Sequence, residues 1–293
     1  MRRRGLRLAF ALGLFASFAA SAQPKLLLQP SQAKPGDPVL LTVQGAKLPP
    51  TGAVGDRQLR FYPWKDGFQA LVSLPVEQAL GPMPIKLSVL ESEEKDRPTE
   101  LTGTLEVVAP NYPTRELKVA SQFIEPQPPA LQARIKADQE AFSKAFAQPF
   151  EAPRFATDFE WPRPPEFTSP FGDLRTYNGK KQSQHYGTDF QGKIGDPINA
   201  ANDGEVVLVR DAFASGNTVV IHHGANLYTA YFHMSKVLVK AGDQVKKGQL
   251  LGKVGKTGRV TGPHLHWGVK LNDLYVDGVT LVKQIHFDGP PAP

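Results

Sequence analysis

Cysteine is absent from all 293 residues. No disulfide can staple the fold, and no thiolate can serve as nucleophile or metal ligand. Each domain must therefore rest on its own apolar core. Long hydrophobic runs are nearly absent too. The one that stands out, Leu8 to Ala20, has 13 residues, short of the roughly 20 that cross a bilayer. No Gly-x-Gly-x-x-Gly follows a strand and there is no P-loop, so nucleotide chemistry has no support. No Gly-x-Ser-x-Gly elbow is present either. A large excess of one charge is also missing. The formal net charge is +6, but Arg2, Arg3, Arg4 and Arg7 lie in the first 22 residues, which hold no acid, leaving 6 − 4 = +2 for the remainder. That balance is too mild to indicate nucleic-acid binding.

The first 22 residues join a basic start, MRRRGLR, to the apolar run and to the small-x-small site Ala20-Ser21-Ala22. The combination reads as a secretory signal peptide. The expected mature chain is exported to the periplasm, the cell envelope or the exterior, and has no transmembrane anchor. Its 293 − 22 = 271 residues suit about two domains.

From residue 23 to 110 short β-rich runs alternate with turns. In GPMPIKLSVLE, Ile85, Leu87 and Val89 alternate with Lys86 and Ser88, as in a half-buried strand. This spacing, with no clear helix, predicts a β-sandwich. The aromatic segment FYPWKDGFQALVSLP reads as core and turn packing. Residues 111–166 are expected to link two domains. Within them Leu131, Ile135, Phe142 and Phe146 share one face of a helix over about 129–146, with Pro128 and Pro129 at its start. Residues 167–287 return to β structure, with glycine turns between GEVVLVRD, NTVVIHHG, LYTAYFHMS and HLHWGVKL. Residues 288–293 are expected to form a flexible tail.

All seven histidines fall in this last β region. His185 and Asp189, in HYGTD, sit four apart on a loop entering a strand. His264 and His266, in HLH, point to one face of a strand together with Gly268, while Leu265, Trp267 and Val269 point to the core. His233 is expected to share a strand face with Tyr231, Thr229 and Leu227. His222 and His223 are adjacent, so they point to opposite faces and read as structural. A zinc enzyme needs three protein ligands and one open position. His185, Asp189 and one histidine of HLH would supply these, leaving the other and His233 to move protons. If both histidines of HLH were ligands, the site would be closed and structural. Spacing alone does not choose between these arrangements.

The text from about Phe167 to Leu281 resembles the lysostaphin-type zinc endopeptidases of bacterial cell walls. The likeness is carried by TSPFGDLRTYNGKKQSQHYGTDF, by SGNTVVIHHGANLYTAYFHMS, and by VKAGDQVKKGQLLGKVGKTGRVTGPHLHWGV. It implies a C-terminal antiparallel β barrel-sandwich domain of a metallopeptidase in a mainly β protein. It implies one zinc ion per chain, held by His185, Asp189 and His266, with His233 and His264 as the catalytic pair. Tyr177 and Asn178 are candidate substrate-binding residues. Thr188 stands where an aliphatic residue is frequent in that family, and His222 where aspartate is frequent. The implied substrate is peptidoglycan, at a cross-link or stem peptide, with envelope regulatory proteins as further partners. The upstream region resembles the immunoglobulin-like module of some envelope members. Two rival readings are a non-catalytic activator of another wall hydrolase and a transport adaptor. The adaptor rests on VKAGDQVKKGQLLGKVG, which resembles the turn of lipoyl-type hybrid domains.

Overall fold

The computed structural model describes residues 23–90, 98–123, 128–179 and 181–287. The expected signal peptide and the expected tail lie outside the described residues. The protein is mainly β, with two α-helices among the described residues. None of the described helices is long and apolar enough to cross a membrane.

Residues 25–107 fold into two facing sheets. One has four strands in the order Lys25–Gln29, Pro38–Gln44, Gly67–Ser73, Tyr62–Trp64. The other has five, in the order Gln32–Ala33, Thr99–Val107, Gly81–Val89, Thr51–Val54, Arg57–Gln58. Strand Gly81–Val89 follows the expected alternation: Met83, Ile85, Leu87 and Val89 are buried, while Pro84 and Lys86 are exposed. These side chains meet Val39, Leu41, Val43 and Phe68 from the opposite sheet.

The four-stranded sheet is different because both of its faces are covered. Strand Gly67–Ser73 is buried along its whole length. Leu40, Tyr62 and Leu71 turn away from the sandwich core and join the core of the C-terminal domain. Each such fully buried side chain contributes about 1.5–3 kcal/mol. The aromatic segment thus packs, as its composition suggests, but much of that packing lies between domains. The Trp64 indole N–H donates to the Phe287 carbonyl at 2.7 Å. The Gln29 amide brackets His286, donating to its carbonyl at 3.1 Å and accepting from its N–H at 2.9 Å.

The segment between the sandwich and the second β domain does more than connect. Thr114–Leu117 pairs in parallel with Leu174–Tyr177 and so becomes a strand of a C-terminal sheet. The long helix runs Pro129–Ala145, with Pro128 as its cap. Phe142 and Phe146 pack against Phe232 and Tyr228. Leu131 and Ile135, expected on the same face, are only partly covered. Buried Asp138 anchors the helix by accepting from Arg210 Nε at 2.6 Å and from the Phe213 N–H at 2.8 Å. Beyond it, Phe155 and Phe159 are buried in the C-terminal core despite the prolines around them.

That core lies between an eight-stranded antiparallel sheet and a three-stranded sheet. The large sheet runs in the order Phe167–Ser169, Thr188–Gln191, His264–Leu271, Leu227–Met234, Gly216–His222, Gly204–Ala212, Gln244–Val245, with Leu274–Val276 beside His264–Leu271. The small one is Pro197–Asn199, Leu250–Lys253, Lys236–Val237. Leu265, Trp267 and Val269 enter the core, so alternation sends His264 and His266 to the other side of their strand.

A candidate metal centre in the C-terminal cleft

Strand pairing brings the first cluster together. Asp189 lies directly opposite His266 in antiparallel register. His185 sits in the loop between strands Lys181–Gln184 and Thr188–Gln191. The donor atoms converge: His185 Nε2 is 3.0 Å from Asp189 Oδ1 and 2.9 Å from His266 Nδ1, and His266 Nδ1 is 2.7 Å from Asp189 Oδ1. Among the described residues, this is the group of three that could hold a metal ion.

The surroundings orient each donor. His185 Nδ1 lies 2.6 Å from the Pro170 carbonyl. A carbonyl can only accept, so that nitrogen carries the proton and Nε2 presents a lone pair to the cluster. Asp189 Oδ2 accepts from Arg175 Nη2 at 2.9 Å, leaving Oδ1 for the cluster. Burial alone would raise the Asp189 carboxyl. Hydrogen bonds and charge from His185 and His266 outweigh it and hold the group well below the usual carboxylate range. Burial acts on His266 in the other direction, lowering it to about 4 against the opposing pull of Asp189. The result is an ionised carboxylate beside neutral imidazole, the protonation states that a divalent cation requires. Two imidazole nitrogens and one carboxylate oxygen, with His185 and Asp189 each held by an outer partner, form a donor set that fits zinc.

His233 reaches the same site by a route that simple alternation misses. In register, Tyr231 pairs with Trp267 and Phe232 with His266. Strict alternation would send His233 into the core with Tyr231. Instead the pairing with Gly216–His222 slips at this point, and His233 takes a left-handed φ of 62°. This bulge re-aims the side chain. The expectation that His233 shares a face with Tyr231 is therefore corrected. Its ring lies 5.0 Å from that of His264 and 6.0 Å from that of His266. His233 Nδ1 is 2.8 Å from the Thr257 carbonyl, which leaves Nε2 as the free acceptor. Burial, helped by the charges of His266 and His264, lowers His233 to about 3. His264 Nδ1 likewise faces a carbonyl, that of Gly262, at 2.9 Å, and its Nε2 is 3.8 Å from Asp189 Oδ1.

The five residues line a cleft of about 550 Å³. Tyr177 lines it too. Asn178 does something else: its amide donates to the Val119 carbonyl and accepts from the Val119 N–H, both at 2.9 Å, pinning the incoming chain to the cleft wall. His222 and His223 lie elsewhere. His222 stacks on Tyr228, and His223 is bonded to the Asp203 carbonyl and the Thr229 hydroxyl.

Several contributors escaped the sequence reading. Arg175 bonds both Asp189 and Ser169, and Asp173 is shared between Ser169, Arg175 and Arg115. Gly187 is needed for space, since a Cβ there would lie 2.6 Å from His266 Cε1. Arg175 and Tyr177 stand two apart on a strand, a faint signal. Their partners come from other strands, so spacing could not reveal them.

An antiparallel β domain with a His-Asp-His donor set and two more histidines in one cleft is a metal-site domain of the kind found in hydrolases. Residues 183–278 match the model of peptidase family M23, so this part of the chain is a domain of that family. Peptidoglycan DD-endopeptidase ShyA of Vibrio cholerae is 44% identical over 115 residues, which are 39% of this chain and 26% of the relative. ShyB of the same organism, also named a peptidoglycan DD-endopeptidase, is 45% identical over 95 residues, 32% of this chain and 22% of the relative. This chain thus spans about a quarter of the length of those curated relatives. A crystal structure from Pseudomonas aeruginosa, described as a candidate peptidase M23, superposes with a TM-score of 0.63 at 28% identity, covering 85% of this chain and 94% of that one. That likeness extends well beyond the peptidase domain into the sandwich.

Proposed function

We propose that the protein is an exported, zinc-dependent endopeptidase that hydrolyses cross-links or stem peptides of bacterial peptidoglycan. The observation that carries this reading is the meeting of His185, Asp189 and His266 at one point of a cleft, with two buried or half-buried histidines beside them. The match of residues 183–278 to peptidase family M23 and the naming of relatives as peptidoglycan endopeptidases support the substrate class. The apolar run and cleavage site of residues 1–22 agree with export.

His185, Asp189 and His266 would hold one zinc ion. When bound, zinc supplies a Lewis acid that makes water a nucleophile near neutral pH and polarises a carbonyl. Arg175 positions Asp189 through its second oxygen. His233 and His264 each have Nδ1 against a carbonyl, so each offers Nε2 to the cleft for proton transfer. One of the two would take a proton from water, and the other would protonate the leaving amine or stabilise the tetrahedral intermediate. Which of the two serves as base and which as acid is left to the pH-rate profiles of the single variants. Burial keeps the His233 imidazole neutral across the physiological range.

Digestion of purified sacculi by the zinc-loaded chain, with released ends read by mass spectrometry, tests the reading. New peptide termini are expected, and they should disappear on chelation. Bound zinc without any new terminus would replace the enzyme with a non-catalytic activator.

A further inference from the structure

Three arginines line the cleft, and two of them are neutralised. Arg115 pairs with Asp173 at 2.8 Å, and Arg175 with Asp189 at 2.9 Å. The third, Arg259, has no acidic partner and no side-chain hydrogen bond among the described residues. Its guanidinium carbon instead lies 4.9 Å from the centre of the Tyr177 ring. Stacking of this kind steadies a guanidinium while leaving its N–H edges available. Those edges match a carboxylate in bidentate geometry. We propose that Arg259, seated on Tyr177, is a carboxylate-binding subsite that selects peptides carrying a free carboxylate close to the scissile bond. The proposal rests on the endopeptidase reading and adds a specificity determinant to it.

The placement is fixed from both sides. Tyr177 stands two residues after Arg175 on the strand Leu174–Tyr177, so both face the cleft. One such step along a strand is about 6.6 Å, which is also the two-residue repeat of an extended peptide. Arg175 reaches Asp189 in the metal cluster, so Tyr177 and Arg259 lie about one peptide repeat farther along the cleft. On the other side the loop carrying Arg259 is tied down. Its N–H donates to the Ala214 carbonyl at 2.8 Å. Gly258 has φ of 78°, and a Cβ there would come within 2.5 Å of the Gly216 nitrogen. Thr257 bonds the Met234 carbonyl through its hydroxyl and receives His233 on its own carbonyl. The same loop thus orients His233 and presents the Arg259 cation. A substrate carboxylate bound there would register the peptide against His233.

The test uses the zinc-loaded full chain and a matched pair of cross-linked muropeptide dimers. One has free carboxylates flanking the scissile bond, the other has them amidated. The wild-type chain is expected to favour the free form in kcat/KM by about tenfold or more, the scale of a charge-assisted bidentate pair. In Arg259→Gln that ratio should fall to about 1, with Arg259→Lys between them. A ratio unchanged in Arg259→Gln while both rates drop would make Arg259 a scaffold of the loop and overturn the proposal. Calorimetry of the same pair on the metal-free chain separates this from the hydrolase reading. Tighter binding of the free form that is lost in Arg259→Gln supports the subsite even if neither dimer is cut. Equal binding of both forms by the wild type overturns it.

Discussion

His264 and His266 share one face of one strand, yet their surroundings give them different work. His266 turns Nδ1 into the cluster with Asp189 and His185, whereas His264 commits Nδ1 to the Gly262 carbonyl. His266→Ala is therefore expected to lose zinc, measured by metal analysis after dialysis. His264→Ala should retain about one zinc per chain and lose at least about 100-fold in kcat, as loss of a proton-transfer group does. Full zinc in both variants would refute the ligand assignment. Gly187 tests the same geometry without touching a donor. A methyl group there would meet the His266 ring at 2.6 Å and the Trp267 carbonyl at 2.7 Å. Because Trp267 belongs to the core and its backbone cannot give way, the His266 ring must move. Gly187→Ala should thus weaken zinc binding at least about tenfold, the lower end for disturbed ligand orientation, while far-UV circular dichroism stays near that of the wild type.

Elements set what a linear reading can see. Period-two patterning exposed strand Gly81–Val89 and the division of His264–Leu271 into a core face and a histidine face. Both elements are regular, and their side chains follow the pleat. The same rule failed at His233, because a register slip and a left-handed residue turn one side chain out of sequence. Nothing in LYTAYFHMS announces that slip, which depends on the partner strand. The rule was equally silent on Thr114–Leu117, whose strand character arises from parallel pairing with Leu174–Tyr177. Asn178 then fastens the continuation of that strand through two bonds to Val119. Asn178 also sits at φ of 51°, a conformation that asparagine tolerates better than most residues. Asn178→Ala should release this wall of the cleft. The expected loss is about 1–2 kcal/mol for the paired bonds. It should be read as faster amide exchange at Val119 and earlier proteolytic nicking near residue 119, with zinc content unchanged. If exchange at Val119 were unaltered, the clamp would not be what holds the segment.

The whole molecule depends on a seam that composition could not disclose. Both faces of the four-stranded sheet are apolar, but a run such as VLL or ALV reads the same whether its second face meets solvent, a helix or another domain. The structure joins Leu40, Tyr62 and Leu71 to the C-terminal core and closes the seam with polar contacts. At its edge the Asp277 N–H donates to the Gly36 carbonyl at 2.8 Å, and Thr280 donates to Asp37 at 2.7 Å. Tyr112 donates to the Pro35 carbonyl beside them. Two carboxyls, Asp37 and Asp277, and the cation of Lys34 therefore meet where the sandwich touches the last helix. Burial raises both carboxyls, and the charge of Asp37 pushes Asp277 further, to about 6. A carboxyl raised in the fold favours its protonated form there. The stability linked to Asp277 is fully present below about 4, its unfolded range, and is lost as pH rises through 6. Asp277→Asn keeps an acceptor for the Val279 N–H that caps the helix and removes the charge. The variant should melt several degrees above the wild type at pH 7.5, a gain of about 3 kcal/mol at most, and should match it near pH 4. Scanning calorimetry across that range measures the difference. A constant offset at both pH values would assign the effect to packing, and a lower melting temperature at pH 7.5 would mean that the ionised carboxylate holds the seam together.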